Sequence, residues 1–536
     1  MKAMRQDRRN MMKGAAALAA LAIPMRLLHA AAMGEGGEPV VVEIETGKLR
    51  GRRMPEVSSF LGIPYGSATR FMPPGAAAPW SGVREAVAFG PRAPQFEAPP
   101  GAIPPSMASL VTFAHEPISE DCLVLNVWTP KADANKRPVM VWFHGGGFAV
   151  GSGQEPDYHG ANLARKNDVV VVTVNHRINV FGFCYLAHIG GPSFEASGDV
   201  GMMDLVQALT WVKGNIGRFG GDAGNVTIFG QSGGGSKVSA MLAMPSAKGL
   251  FHKAIIMSGP GVRMTERDKA EESTNKLMAA LGLGRTDVEK LRALPMQDLI
   301  KATGMPLAGP GMGINFSPVV DGVVLPSHPF DPVAPEVSAT VPIIIGHTRD
   351  EMAMMMVPEI LDNKLTEPEL AQRVEGIAKG RSTQLIAAYQ ELRPNATLIQ
   401  IWADIMTDHG MGEGTVTIAE RKVKQGRAPL FMYLVTYEVP AHNGALRASH
   451  GEDMALVFDN VAGAAGLHGT GPRPQQMADM MSRAWVAFAR TGKPDHRGIP
   501  AWPVYTLEKR ETMLFNIPPR VADDPQAKER ALWSQA

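Results

Sequence analysis

Short, nearly continuous apolar runs recur along the chain and restrict its fold more than any other feature. They read "CLVLNVWTP", "RPVMVWFHGGG", "DVVVVTVNHR", "NVTIFGQSGGG", "KAIIMSG", "VPIIIGHTRDE" and "PLFMYLVTYE". A strand with one face in water alternates apolar and polar residues, whereas unbroken runs of this length suit strands covered on both faces. Between several of them lie amphipathic helical stretches such as "GMMDLVQALTWVKGNIGRF" and "QMADMMSRAWVAFARTG". Strand and helix in alternation predict an α/β fold, a large and mostly parallel sheet flanked by helices. "VVVEIETGKLRGRR" does alternate and holds a Gly turn, so a pair of antiparallel strands is expected near the start. "PQFEAPPGAIPP" reads as a Pro-rich surface loop. Two stretches, near 265–315 and 361–426, are helical in pattern with breaks at "GLG" and "GPGMG", and read as insertions that cap the carboxyl edge of the sheet. A single domain over 38–520 accommodates all of these.

The chain has 536 residues, 45% hydrophobic and 20% charged, which is enough to bury a sizeable core. Its formal net charge is +1 and no basic block is interleaved with aromatics, so nucleic acid is not expected as a partner. The N-terminal stretch "MKAMRQDRRNMMKGAAALAALAIPMRLLHAAAMGEGGEP" combines a cationic start, an Ala/Leu run and a small-residue "AAA". This is the pattern of a cleavable export signal over 1–32. Arg8 and Arg9 give it a twin-arginine character, a Sec signal or a basic tail being the other readings. The apolar run is well short of the roughly 18–20 residues that span a bilayer, so a periplasmic or secreted protein without a permanent membrane anchor is expected. Only Cys122 and Cys184 occur, neither in a CxxC, and no HExxH or Cys/His pair has zinc spacing. Neither a metal nor another cofactor is expected.

"IFGQSGGGS" places Ser232 at the end of an apolar run, where open α/β sheets carry their functional groups. In Gly230-x-Ser232-x-Gly234, a serine in a tight strand-to-helix turn needs small residues two positions to either side. The helix that follows aims its N-terminus at the hydroxyl. The same letters fit a flexible Gly-rich loop or a phosphate cradle, but a P-loop needs GK[ST], and Lys237 follows Ser236 in the wrong order. A serine hydroxyl near its normal pKa is a poor nucleophile and requires a base, an orienting acid and oxyanion donors. "VWFHGGGFAVG" offers the N–H groups of Gly146 and Gly147 beside that of Gly233, and "VPIIIGHTRDE" offers Asp350 or Glu351. "ASHGEDMALVF" offers His450, with His347 and His442 as competitors. The order serine, acid, histidine is that of α/β-hydrolases.

With further stretches, these residues resemble the type-B carboxylesterases, the family that includes the cholinesterases. "SEDCLVLNVWTP" resembles the family's EDCLYLNV signature and "NHRINVFGF" its NYRLGxxGF stretch. "GDVGMMDLVQALTWVKGNIGRFGGDAGNVTIFGQSGGG" resembles the segment that leads to the family's nucleophile, and "FSPVVDGVVLP" and "WVAFARTGKPDHRGIPAWPVY" also fit. The resemblance covers nearly all of the chain after the signal. It implies an α/β-hydrolase fold and hydrolysis of carboxylic esters through an acyl-enzyme. By position it implies Ser232 as nucleophile, Glu351 as acid, His450 as base, and Gly146, Gly147 and Gly233 as oxyanion donors. Ser258 matches a serine that supports the histidine and acid. Asp350 is then left to structural hydrogen bonds, and Glu120 and Asp121 to ion pairs near the sheet. The expected partner is a small-molecule ester. Amides, lactones or carbamates would use the same triad, and noncatalytic adhesion proteins share the fold.

The chain departs from the family pattern at Gln231, where glutamate is usual, at Gly233, where alanine is usual, and at Ala93, where cysteine is common. An amide in place of a carboxylate removes negative charge from the site. "SLVTFAHEPI" also lacks the tryptophan with which cholinesterases hold quaternary ammonium, so cationic esters gain no advantage. With Ala93 in place of the usual partner, Cys122 is expected to be a free, buried thiol. The 32 methionines read as adaptable core filler.

Overall fold

The computed structural model describes residues 37–99, 101–304 and 313–533. The expected export signal (1–32) and part of the first helical insertion (305–312) lie outside the described residues. The apolar runs become strands of one 13-stranded sheet. In chain order these are β1 (Glu38–Ile44), β2 (Gly47–Met54), β3 (Val57–Pro64), β4 (Val83–Glu85), β5 (Val124–Thr129), β6 (Arg137–Phe143), β7 (Val170–Val174), β8 (Gly221–Gln231), β9 (Lys253–Met257), β10 (Ile343–Thr348), β11 (Leu430–Val435), β12 (Glu511–Phe515) and β13 (Arg520–Asp523). Their order across the sheet is β1-β2-β3-β5-β7-β6-β8-β9-β10-β11-β12-β13, with β4 beside β2. The seven strands from β7 to β12 run parallel, and antiparallel pairs close both ends.

Unbroken apolar character has the expected cause. Val139, Val141 and Phe143 of β6 enter one core, while Met140 and Trp142 enter another on the opposite face. Strands β9 to β11 split in the same way, Ile343 and Ile345 to one side and Ile344 to the other. Helices α1 (Val200–Asn215) and α2 (Gly233–Ala243) cover the first face through residues such as Leu205, Leu209, Val238 and Met241. The helical insertions contain α3 (Arg267–Ala280), α4 (Met296–Thr303), α5 (Glu367–Ile377), α6 (Ser382–Leu392), α7 (Leu398–Thr407) and α8 (Glu413–Gln425). Helices α5 to α7 share a third core with Val357 and Val439, on segments that leave the carboxyl ends of β10 and β11. The second face of the sheet is covered by α9 (Glu452–Phe458) and α10 (Pro472–Thr491), through Leu456, Met481, Trp485 and Phe488.

Chain order reverses around β6, which has β7 on one side and β8 on the other. Loops leaving β6 and β8 therefore face each other across a crevice at the carboxyl edge, the place where such sheets bind ligands. Among the described residues no helix is long and apolar enough to cross a membrane. Cys122 and Cys184 are both free and buried.

Candidate active site

Ser232 is the single residue between β8 and α2, with φ 58° and ψ −125°. A side-chain-bearing residue in this region is strained by about 1–3 kcal/mol and persists only where its surroundings impose it. Here the Ser232 N–H donates to the Met257 carbonyl (2.8 Å), and the Ser232 carbonyl accepts from the Ser236 N–H (3.1 Å). Neighbouring glycines are sterically required. A Cβ at Gly234 would lie 2.0 Å from the Phe143 oxygen, and one at Gly230 would lie 2.5 Å from the Gly234 carbonyl carbon.

The loop after β6 supplies backbone donors. Gly146 and Gly147 have φ of 80° and 61°, left-handed values that glycine adopts without strain. A Cβ at Gly145 would stand 3.6 Å from Cβ of Ser232, and one at Gly233 would stand 2.1 Å from the Gly147 oxygen. Loop and helix thus touch backbone to backbone beside the serine. The Gly145 carbonyl engages His144 Nδ1 (2.9 Å), and the Gly146 carbonyl accepts from the N–H groups of Ala149 (3.2 Å) and Val150 (3.1 Å). Among the described residues, no acceptor takes the N–H of Gly146, Gly147 or Gly233.

Glu351, which is buried, follows β10, and His450, which keeps a small exposed edge, precedes α9. His450 Nδ1 hydrogen-bonds Glu351 Oε2. The other carboxylate oxygen accepts the Thr348 N–H at 2.7 Å. Burial works against the charge of both groups. The Glu351 carboxylate nevertheless raises the His450 pKa above that of ordinary imidazole, while His450, His347 and Ser258 together hold Glu351 below the usual carboxylate range. Ser258 thus sits beside the acid, held at a φ of 47°.

Asp350 and His442 are occupied elsewhere, whereas His347 lies near Glu351 without a hydrogen-bond partner. Asp350 accepts the Ala448 N–H (3.0 Å) and pairs with Arg349 (3.0 Å) and Arg447 (3.2 Å). His442 bonds the Ser106 carbonyl at 2.8 Å, and His347 is buried with neither ring nitrogen hydrogen-bonded. Glu120 pairs with Arg70. Asp121 corrects the expectation of a second ion pair: it is exposed and meets no cation among the described residues, because its side chain stays in water where pairing gains little.

Three features of the site were not evident from the letters. Gln231 Nε2 lies against the His450 ring, 3.1 Å from Nε2 and 3.4 Å from Nδ1, and no hydrogen bond joins His450 to Ser232 among the described residues. Glu351 is held as a carboxylate and can only accept, so the ring proton sits on Nδ1, facing it, and Nε2 is left to act as the base. Behind the histidine, Glu452 is buried with neither carboxylate oxygen hydrogen-bonded, and desolvation pushes its pKa well up. Asp453 accepts from Tyr433 Oη (3.0 Å), and desolvation raises it to about 7. The adjacency in "HGED" was visible, but the burial depends on how α9 packs. Lastly, Lys237 is fully buried under the glycine loop. A cavity of about 300 Å³ lined by Asp408, Glu413, Arg510, Gln526 and Trp533 contains none of these residues.

A family model described as Carboxylesterase family matches residues 38–533. Over 502 residues the chain is 33% identical to the para-nitrobenzyl esterase of Bacillus subtilis (strain 168), covering 91% of this chain and 97% of that protein. It is 34% identical over 464 residues to the phenmedipham hydrolase of Pseudarthrobacter oxydans, with 84% and 89% covered. Among solved structures, a carboxylesterase of Geobacillus stearothermophilus matches with a TM-score of 0.81 at 38% identity, covering 92% of this chain and 99% of that one.

Proposed function

The chain belongs to the carboxylesterase family and is a carboxylic ester hydrolase of the α/β-hydrolase fold; from that premise we propose that it acts through Ser232, His450 and Glu351 by way of an acyl-enzyme. Two observations support this reading: backbone N–H groups without acceptors lie beside one strained serine, and a histidine–glutamate pair reaches the adjacent Gln231. His450 Nε2 first leaves the Gln231 amide and accepts the Ser232 proton as Oγ attacks the ester carbonyl. The new oxyanion takes the N–H groups of Gly146, Gly147 and Gly233, each worth about 3 kcal/mol of barrier in a comparable site. Glu351 keeps the imidazole oriented and stabilises its charged form. As the tetrahedral intermediate collapses, the alcohol leaves with the proton from His450. Water, deprotonated by the same nitrogen, then attacks the acyl-enzyme, releasing the acid and restoring the Ser232 hydroxyl.

Neutral esters are the proposed substrates, since Gln231 brings no charge to the site. Ser232→Ala is expected to lower kcat on a chromogenic short-chain ester by about 10⁵-fold or more. A variant that kept full activity would refute the mechanism. Export through a twin-arginine signal also stands as a proposal, resting on Arg8, Arg9 and the apolar run after them. Fractionation that recovered a full-length protein only from the cytoplasm would reject it.

A further inference from the structure

Beneath the glycine loop lies a buried lysine that this mechanism does not use. Lys237, in the second turn of α2, has no exposed surface. Its Nζ donates to the His144 carbonyl at 2.8 Å and lies 5.7 Å from the centre of the Phe148 ring. His144 and Phe148 flank the three glycines, so the ammonium contacts both ends of the loop. No carboxylate pairs with it among the described residues. The titratable groups that feel its charge are His144 and His176, whose rings stack with centroids 4.9 Å apart. Burial alone pushes the amine down to about 7. Such a group is costly to bury without a counter-ion, and an apolar side chain would fill the place at less cost.

The backbone shows where this donor acts. In a trans peptide the carbonyl and the next N–H point in opposite directions. The carbonyls of His144, Gly145 and Gly146 are engaged in turn by Lys237 Nζ, by His144 Nδ1 and by the N–H groups of Ala149 and Val150. Each bond orients one peptide plane: Lys237 fixes the His144–Gly145 plane where the loop begins, and the two planes that follow, held by His144 Nδ1 and by Ala149 and Val150, determine where the N–H groups of Gly146 and Gly147 point. We propose that Lys237 is a positioning residue of the oxyanion hole, fixing the loop that carries the Gly146 and Gly147 donors to the helix that begins beside Ser232. This inference rests on the catalytic reading above. Its physical content is a tie between donors and nucleophile: serine turn, helix, ammonium, His144 carbonyl, donors.

Lys237→Met tests it, with Lys237→Leu as a second apolar variant should the first fail to fold. Active sites are counted by endpoint labelling of Ser232 with a fluorophosphonate, so that misfolded protein does not enter the rates. The expected result per labelled site is a kcat on p-nitrophenyl acetate about 10- to 100-fold lower, with KM within about threefold. A trifluoromethyl ketone, which places an oxyanion in the same hole, should bind more weakly by the same factor as kcat/KM falls. A kcat within twofold of wild type, or a lower kcat with unchanged affinity for the trifluoromethyl ketone, would overturn the proposal. Wild-type enzyme that hydrolyses esters without taking the label on Ser232 would instead overturn the catalytic reading, and this inference with it.

Discussion

Gly233→Ala would restore the residue usual in the type-B family, yet here it is expected to damage the enzyme. A Cβ at this position falls 2.1 Å from the Gly147 oxygen and 2.5 Å from the Gly147 Cα and carbonyl carbon. All three are backbone atoms, so no rotamer change relieves the overlap, and either the loop or α2 must retreat by about 1 Å in a close-packed interior. The displaced atoms carry two of the three proposed oxyanion donors. A misplacement of about 1 Å at a reacting centre costs on the order of 100-fold in rate, or about 2.7 kcal/mol of barrier. Ester binding before the chemical step does not depend on these N–H groups, so kcat should fall with KM little changed. Steady-state kinetics on p-nitrophenyl butyrate, scaled by fluorophosphonate titration, read the effect, and circular dichroism melting checks that the fold survives. A Gly233→Ala enzyme with kcat within threefold of wild type would refute the reasoning.

Because Glu351 raises His450, the acid limb of kcat/KM should lie above the ordinary imidazole pKa, activity being lost as pH falls through it and the base becomes protonated. Glu351→Gln should lower kcat by about 10³- to 10⁴-fold and move that limb to lower pH, since burial is then unopposed; a limb that stays in place would contradict the pairing. Gln231→Glu puts a carboxylate against Nε2, so it should shift the limb upward and raise kcat/KM for a choline ester relative to its uncharged isostere, two changes read in one pH series. Asp350→Ala strips the Ala448 N–H and two arginines of their partner and should destabilise the fold by about 3 kcal/mol in urea unfolding; a loss below about 0.5 kcal/mol would show that the cluster contributes little. Burial pushes the Cys184 thiol up to about 12, so Ellman's reagent should find no reactive cysteine until the protein is denatured.

How far the letters carried follows from the distances over which each feature is set. Strands such as Ile343–Thr348 were legible because an unbroken apolar run has one physical meaning, two covered faces. Ser232, Glu351 and His450 each sit just past a strand or before a helix, but the local pattern offers Asp350, His347 and His442 as well, and only the resemblance to the type-B family selects among them. Gln231 was read for its missing charge only, and its contact with His450 joins residues 219 positions apart, which no local pattern encodes. Lys237 was weighed only as a misplaced P-loop lysine, since lysine is a surface residue in nearly every context and its burial depends on the loop lying over α2. Glu452 and Asp453 look like a solvated pair and are buried instead.

The clasp at Asp350 has a mechanical consequence. Asp350 pairs its backbone with Ser449 and exchanges hydrogen bonds with Ala448 through both its N–H and its carboxylate, so the residue before Glu351 is stitched to the residues before His450. Helices α5 to α8 all lie between those two points. They form a long excursion that returns through β11, and the Asp350 clasp ties its two ends together, so the acid and the base are joined by a short link that does not run through those helices. Loss of that link would let movement in the cap reach the reactive pair, which otherwise keeps its spacing.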